Sequence, residues 1–278
     1  MATIDALLKQ AGLPDSPTPR LDAEWLLCAA LGKPATYLRT WPERDVPDEA
    51  AARFADWLER RRRGEPVAYI LGQQGFWSLD LEVAPHTLIP RPDTELLVET
   101  ALQLLPATPL RALDLGTGSG AIALALAAER PAWQLVGADR VPEAVALAER
   151  NRQRLGLGNV AFCRSDWFGA FAGERFALVL SNPPYLRADD PHLRQGDVRF
   201  EPDSALVAGP DGLDDLRRIV GAAPAHLQAQ GWLLLEHGFE QAGAVCELLA
   251  AAGFEAVESR RDLGGHPRIS LGRWPGAC

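Results

Sequence analysis

Two short segments concentrate the residue types that can do chemistry. The first is Asp114-Leu115-Gly116-Thr117-Gly118-Ser119-Gly120, which follows an apolar stretch and precedes an alanine-rich one. Glycines at this spacing let the chain turn sharply and let a ligand lie against the backbone. Asp139 closes the next apolar stretch, at the place where an acidic side chain can accept from two ribose hydroxyls. Two ligand chemistries stay open at this point. Gly116, Gly118 and Ala121 fit the dinucleotide pattern G-x-G-x-x-G/A. Gly116, Gly118 and Gly120 behind Asp114 fit the tighter turn of a nucleoside methyl donor site, in which no pyrophosphate is held.

The second segment is Asn182-Pro183-Pro184-Tyr185, directly after the apolar run Ala177–Ser181. Ligands bind at the carboxyl ends of strands in open α/β sheets. A residue before proline is pushed towards extended backbone, which keeps Asn182 out of a helix. Two prolines fix two φ angles and remove two N–H donors. What remains is a stiff loop rich in acceptors, namely the Asn182 side-chain oxygen and the Pro183 carbonyl, with the flat face of Tyr185 beside them. Such a loop suits a planar NH₂ group, whose lone pair is delocalised and whose two hydrogens need acceptors. Catalysis is then positioning and electrostatics, and the proton can leave after the transfer. A dehydrogenase has no use for this loop, so the dinucleotide reading is set aside.

These residues need rigid elements to hold them. From Leu110 onward the pattern alternates strand and helix: Leu113–Leu115, Ala121–Arg130, Gln134–Asp139, Pro142–Leu155, then three buried strands at Val160–Cys163, Ala177–Leu180 and Trp232–Leu235. This alternation predicts an α/β parallel sheet covered by helices on both faces. Residues 74–84 predict a short hairpin, with Pro85, Pro90 and Pro92 punctuating the connection after it. The first ~70 residues read as helical. Leu21, Trp25, Cys28 and Ala29 recur at helical spacing before Gly32 and Pro34. A further helix runs from Pro47-Asp48-Glu49 to Gly64, with Phe54, Trp57 and Leu58 on one side. Arg60–Arg63 in its last turn suit the negative end of the helix dipole better than a contact to RNA or to an acidic partner.

Composition narrows the function. The chain has 278 residues, 47% of them hydrophobic and 23% charged, as in a globular protein with room for one large and one small domain. The apolar run Ala121–Ala128 has eight residues, and a membrane span needs ~20. The first residues carry no secretory pattern, and a cytoplasmic location is expected. A net charge of −9 argues against a protein that wraps duplex nucleic acid through its phosphates. Cys28, Cys163, Cys246 and Cys278 form no C-x-x-C pair and read as buried free thiols. His86, His192, His226, His237 and His266 lack metal-ligand spacing, so no metal is expected.

With these motifs in place the chain resembles the release factor glutamine methyltransferase family, over nearly its whole length. Further segments carry the resemblance: Gly64-Glu65-Pro66-Val67-Ala68-Tyr69-Ile70-Leu71-Gly72, Leu88-Ile89-Pro90-Arg91-Pro92-Asp93-Thr94-Glu95, Ser165-Asp166-Trp167-Phe168, Arg199-Phe200-Glu201-Pro202 and Leu235-Glu236-His237-Gly238. The resemblance implies a class I, Rossmann-like methyltransferase domain over residues 91–278, with a seven-stranded sheet whose last strand is antiparallel. It also implies an N-terminal helical bundle over 1–72 that recognises the protein substrate, and a hairpin linker over 73–90. The implied donor is S-adenosyl-L-methionine, and the implied acceptor is the N5 side-chain amide of the Gly-Gly-Gln glutamine in class 1 peptide release factors. Carried over by position, Gly116, Thr117, Gly118, Ser119 and Gly120 hold the donor's methionine end, and Asp139 holds its ribose. Asp166 and Trp167 border its adenine. Asn182 touches donor and glutamine, Pro183 supplies a carbonyl acceptor, and Pro184 and Tyr185 pack against the amide. Arg91, fixed between two prolines, shapes the substrate side of the cleft. A monomer without membrane or sequence-specific DNA contacts is expected.

Two related activities compete on the same motifs. One is methylation of a glutamine in a large-subunit ribosomal protein; the Pro90–Glu95 segment favours the release-factor branch. The other is adenine-N6 methylation of DNA, which must flip a base and grip phosphates. The net charge of −9 and the lack of a long basic segment speak against it. A binding module with an idle catalytic domain is disfavoured by the intact Asp139 and Asn182.

Overall fold

A computed structural model describes residues 2–276; Met1, Ala277 and Cys278 lie outside the described residues, and with them the reading of Cys278 as a thiol. The chain divides into two compact units, Met1–Gln73 with Pro191–Phe200, and Gln74–Asp190 with Glu201–Cys278.

The first unit is built from five helices: α1 (Ile4–Gln10), α2 (Pro19–Leu31), α3 (Ala35–Thr40), α4 (Asp48–Arg62) and α5 (Val67–Leu71). Gly32 ends α2 in the left-handed region, as its position after the apolar run predicts. The buried stripe of α2 corrects the sequence reading. Ala23, Leu26, Leu27 and Ala30 face the core, whereas Leu21 and Trp25 are 40% and 47% exposed and Ala29 is exposed. Two apolar stripes share this helix at equal spacing, and the stripe that also carries Asp22 is the one that packs. Asp22 is buried because it accepts from the Ser16 and Thr18 hydroxyls and from Arg61 Nε at 2.7 Å. Arg61 also pairs with Asp197 at 2.7 Å. The arginine run at the end of α4 thus does more than meet a helix dipole: Arg61 is the buried cation that ties α2, α4 and the 191–200 segment within this unit.

The second unit begins with the expected hairpin, β1 (Gln73–Phe76) and β2 (Leu79–Glu82), and continues with α6 (Glu95–Leu104). The central sheet comprises β3 (Arg111–Leu115), β4 (Gln134–Asp139), β5 (Val160–Arg164), β6 (Phe176–Ser181), β7 (Leu227–Glu236), β8 (Glu255–Arg261) and β9 (Pro267–Arg273). Their order is β5-β4-β3-β6-β7-β9-β8, parallel except for β9, which runs antiparallel to both neighbours. The helices between strands are α7 (Ala121–Glu129), α8 (Pro142–Leu155), α9 (Asp214–His226) and α10 (Ala242–Ala251).

α7 is apolar all round, and seven of its nine residues are buried, so it is a core helix and not an amphipathic one. Its face of the sheet packs Leu124 and Leu126 with Leu178, Leu180 and Leu234, and the other face packs Leu113, Val179 and Leu233 with α9. β5 departs from the buried strand expected there: it is the sheet edge, and only Val160 is buried. Cys28, Cys163 and Cys246 are free but half-buried rather than enclosed. Among the described residues no helix is long and apolar enough to cross a membrane. Among the same residues no group of three or more His, Cys, Asp or Glu could hold a metal ion.

Candidate functional site

The carboxyl ends of β3, β4 and β6 open onto one cleft with about 910 Å³ of empty space, part of it open to solvent. Its floor is the turn after β3. Gly116, Gly118 and Gly120 all have positive φ, at 70°, 56° and 86°. Gly116 also lies so close to Trp167 that a Cβ would stand 3.4 Å from the indole ring. The turn is pinned from β4. Asp139 Oδ2 accepts from the Gly118 N–H at 3.0 Å and Oδ1 from the Val141 N–H at 2.9 Å. A carboxylate has about four acceptor positions, so two remain for hydroxyls of a ligand.

Asp114 stands in β3 just ahead of the turn, 1% exposed. Its Oδ2 accepts from the Thr117 hydroxyl at 2.6 Å, while Oδ1 has no hydrogen-bond partner among the described residues. Burial pushes its carboxyl up to about 7; the Thr117 and Ala123 hydrogen bonds pull the other way, and the Asp139 charge adds to the rise.

One wall of the cleft is Asp166 and Trp167. Trp167 takes a left-handed φ of 47°, a conformation that costs a non-glycine residue on the order of 1 kcal/mol or more. It is held there at both ends: Ser165 Oγ donates to its carbonyl at 2.7 Å and its Nε1 donates to Asp215 at 3.2 Å. Asp166 pairs with Arg218 at 2.9 Å.

The opposite wall comes from the proline-rich segment and from the end of β6. Ser181 Oγ donates to the Leu115 carbonyl at 2.7 Å, which locks the end of β6 beside the glycine turn and sets Asn182 at the cleft. Pro184 also lines it. Asn182 Nδ2 donates to Thr94 Oγ1 at 3.2 Å. Arg91 lines the cleft and pairs with Glu201, whose side chain is fully buried and also accepts from the Ile89 N–H.

Of the residues singled out in the sequence, Arg91, Gly116, Thr117, Gly118, Ser119, Asp139, Asp166, Trp167, Asn182 and Pro184 meet in this cleft. Gly120, Pro183 and Tyr185 stand outside its lining. A Cβ at Gly120 would meet Leu124, Phe162 and Ala148 at 2.9–3.1 Å, so this glycine serves helix-to-sheet packing. Pro183 is buried. Tyr185 turns its hydroxyl inwards to Glu236 Oε1 at 3.4 Å, and burial and the Glu236 charge raise its pKa. Sequence reasoning gave no role to Thr94, Glu201 or Glu236. All three lie in segments it quoted, but their convergence on Asn182, Arg91 and Tyr185 is long-range and leaves no local pattern.

A parallel sheet with one reversed strand inserted between β7 and β8, and a glycine turn facing an acidic strand end, is the class I methyltransferase architecture. Solved structures agree at the level of fold. A methyltransferase from Pyrococcus furiosus superposes over 80% of this chain and 100% of its own, with TM-score 0.55 and 20% identity. The T. thermophilus 16S rRNA N2 G1207 methyltransferase, solved with AdoMet and guanosine, superposes over 73% of this chain and 49% of its own, with TM-score 0.51 and 20% identity. Residues 2–72 match the PrmC N-terminal domain and residues 108–209 a methyltransferase domain. The release factor glutamine methyltransferase of Pseudomonas aeruginosa is 68% identical over 100% of both chains, and that of Escherichia coli K12 is 51% identical over 93% of this chain and 94% of its own. The chain belongs to the release factor glutamine methyltransferase family.

Proposed function

We propose that this protein methylates the N5 side-chain amide of the glutamine in the Gly-Gly-Gln motif of class 1 peptide chain release factors, with S-adenosyl-L-methionine as donor. The observation that carries the reading is Asn182 held at the edge of the cleft formed by the glycine turn and Asp139. Family membership supports the acceptor, and the reaction is assigned to the cytoplasm, where release factors act.

The residues present fit the donor. The backbone of Gly116–Ser119, with Gly120 permitting the turn, holds its methionine end. Asp139 has two acceptor positions left for the ribose hydroxyls, and Asp166 and Trp167 flank the adenine. When bound, the donor supplies a methyl group on a positively charged sulfur.

The chain's own residues then orient the acceptor. Asn182 Oδ1 and the Pro183 carbonyl accept the two hydrogens of the glutamine amide, so its nitrogen faces the methyl carbon. Pro184 and Arg91 form the wall behind it, and Tyr185, outside the lining, props the loop through its hydroxyl on Glu236. The N–C bond forms as the C–S bond breaks, and the amide proton then leaves to solvent. A planar amide is a weak nucleophile, so positioning has to supply most of the acceleration, and it can supply ~7–11 kcal/mol. No strong base is required.

Mass spectrometry of a purified release factor incubated with the protein and S-adenosylmethionine tests this. One added methyl group mapped to the Gly-Gly-Gln glutamine is expected. Methylation of a ribosomal protein or of DNA under the same conditions, with none on the release factor, would overturn the substrate assignment.

A further inference from the structure

We infer that the buried Glu201 carboxylate holds Arg91 in the cleft as a charge-cancelled hydrogen-bond donor, an inference that rests on the reading of the site proposed above. The Arg91 guanidinium then binds main-chain carbonyls of the Gly-Gly-Gln acceptor without repelling the cationic methyl donor, and Glu201 is its positioning residue.

Glu201 grips the proline-rich segment at two points, two residues apart. Its Oε2 accepts from the Ile89 N–H at 3.3 Å, and its Oε1 accepts from Arg91 Nη2. Pro90 and Pro92 have no N–H to offer, so Ile89 and Arg91 are the residues of this stretch that can meet a carboxylate. The Glu201 side chain is fully buried, whereas that of Arg91 is 35% exposed and lines the cleft. A buried carboxylate is costly unless a cation and hydrogen bonds compensate it. Here the compensating cation is one that faces the ligand space.

Arg91 belongs to the acceptor side of that space. Its carbonyl accepts from the Thr94 N–H at 3.1 Å, and Thr94 Oγ1 in turn accepts from Asn182 Nδ2. A guanidinium has five N–H donors, so even a two-pronged bond to one carboxylate leaves three for a ligand. Glycine has no side chain, so the two Gly carbonyls of the acceptor are open to such donors. They need N–H groups and no net charge. A bare guanidinium would meet that need but would also set a positive charge in the same cleft as a positively charged sulfur. Paired with Glu201 it keeps its N–H groups and loses its net charge. Arg140, which also lines the cleft, is exposed, and salt and water screen it.

The test uses the full protein and two probes of the donor site. S-adenosylmethionine carries the positive sulfur; S-adenosylhomocysteine has the same adenosine and amino-acid ends around a neutral one. Glu201→Gln leaves Arg91 its charge and removes the counter-charge. A unit charge acting over ~10 Å at an effective dielectric of ~20 changes affinity about tenfold. By calorimetry S-adenosylmethionine should therefore bind about five- to thirtyfold more weakly to Glu201→Gln, with S-adenosylhomocysteine within about twofold of wild type. The neutral double variant Arg91→Gln/Glu201→Gln should return the ratio of the two affinities to the wild-type value, while KM for a purified release factor stays raised by about fivefold or more. Arg91→Lys keeps the charge and the pair but loses the planar fork; it should raise that KM and leave the affinity ratio alone, and it reads the acceptor contact whether or not Glu201→Gln folds. Equal weakening of both probes in Glu201→Gln, or no change in either, would show that Glu201 only braces the fold. A release-factor KM unchanged in Arg91→Lys would show that the guanidinium does not touch the acceptor. Either result overturns the inference. Wild type that binds S-adenosylmethionine but leaves the glutamine unmethylated would overturn the underlying reading instead.

Discussion

Asp114→Asn should stabilise the ligand-free protein at alkaline pH and lose that advantage in acid. Burial raises the Asp114 carboxyl from 3.8 to about 7, so the folded state resists its ionisation. A raised acid gives stability that is complete below the unfolded pKa and is lost as pH rises through the folded one. The loss accumulates between pH about 4 and 7. About three pKa units at 1.36 kcal/mol each make about 4 kcal/mol by pH 8. Asparagine carries no charge and so escapes this loss. Its carbonyl can keep the bonds from Thr117 and Ala123, but its NH₂ lands where Oδ1 has no partner, at a cost of ~1–3 kcal/mol. The net gain at pH 8 is therefore ~1–3 kcal/mol. By pH 5 the ionisation cost has shrunk below ~2 kcal/mol, and the variant becomes equal to wild type or weaker. Urea unfolding of both proteins at pH 5 and pH 8, without donor, reads the difference. The same stability difference at both pH values would show that Asp114 is not held against ionisation and would refute the argument.

Three other substitutions separate the parts of the site from the parts of the scaffold. Asp139→Ala removes a carboxylate that holds the Gly118 N–H and has room for two hydroxyls; hydrogen bonds to a charged group are worth ~1.5–3 kcal/mol each, so donor affinity by calorimetry should drop on the order of 100- to 10,000-fold. A drop under threefold would remove Asp139 from the ribose site. Asn182→Ala should cut kcat at saturating donor by ~100-fold or more while donor Kd moves less than about fivefold, and equal losses in both would count against an acceptor-orienting role. Arg61→Ala leaves Asp22 buried without its cation and should cost ~3 kcal/mol in the first unit, whereas Arg60→Ala, at a half-exposed pair with Glu65, should cost under ~1 kcal/mol. Equal melting shifts for the two arginine variants would contradict the burial argument.

The parts of this molecule that could be read from the chain are those fixed by local chemistry. A glycine that must adopt positive φ, as at Gly116, leaves the same mark in the sequence as in the structure. So does Asn182 before two prolines. The boundaries of β4 and α8 were equally plain, because Asp139 and Pro142 terminate and start them by their own geometry. What stayed hidden depends on partners far along the chain. Leu21 and Trp25 looked like the inner face of α2 because nothing local separates their stripe from that of Ala23, Leu26 and Leu27; the buried Asp22–Arg61 pair does, and it forms only when α4 arrives. β5 looked buried because an edge strand and a central one differ in neighbours, not in hydropathy. β7 starts five residues before Trp232, through the exposed Gln228–Gln230, because pairing with β6 at Leu227 extends it.

The sheet order itself gives the last prediction. β6, which delivers Asn182, lies between β3 and β7, and each neighbour carries a buried carboxyl that burial raises to about 7: Asp114 on one side and Glu236 on the other. They belong to different halves of the reaction. Asp114 bonds Thr117 in the glycine turn, whereas Glu236 accepts from Tyr185 in the loop that carries Asn182. Ionised Glu236 accepts the Tyr185 hydroxyl proton and holds that ring beside the loop that carries Asn182; protonated Glu236 has a proton of its own to give and weakens that hold. Turnover at saturating donor should therefore fall as pH drops through about 7, by up to tenfold per pH unit at the steepest. In Glu236→Gln the acid limb should vanish and leave a low, flat profile, because the amide does not titrate. Asp114 at saturating donor should leave kcat unaffected and appear only in the donor KM. An acid limb in kcat that survives in Glu236→Gln would assign it to another group and break the link between Glu236 and the Asn-Pro-Pro-Tyr loop.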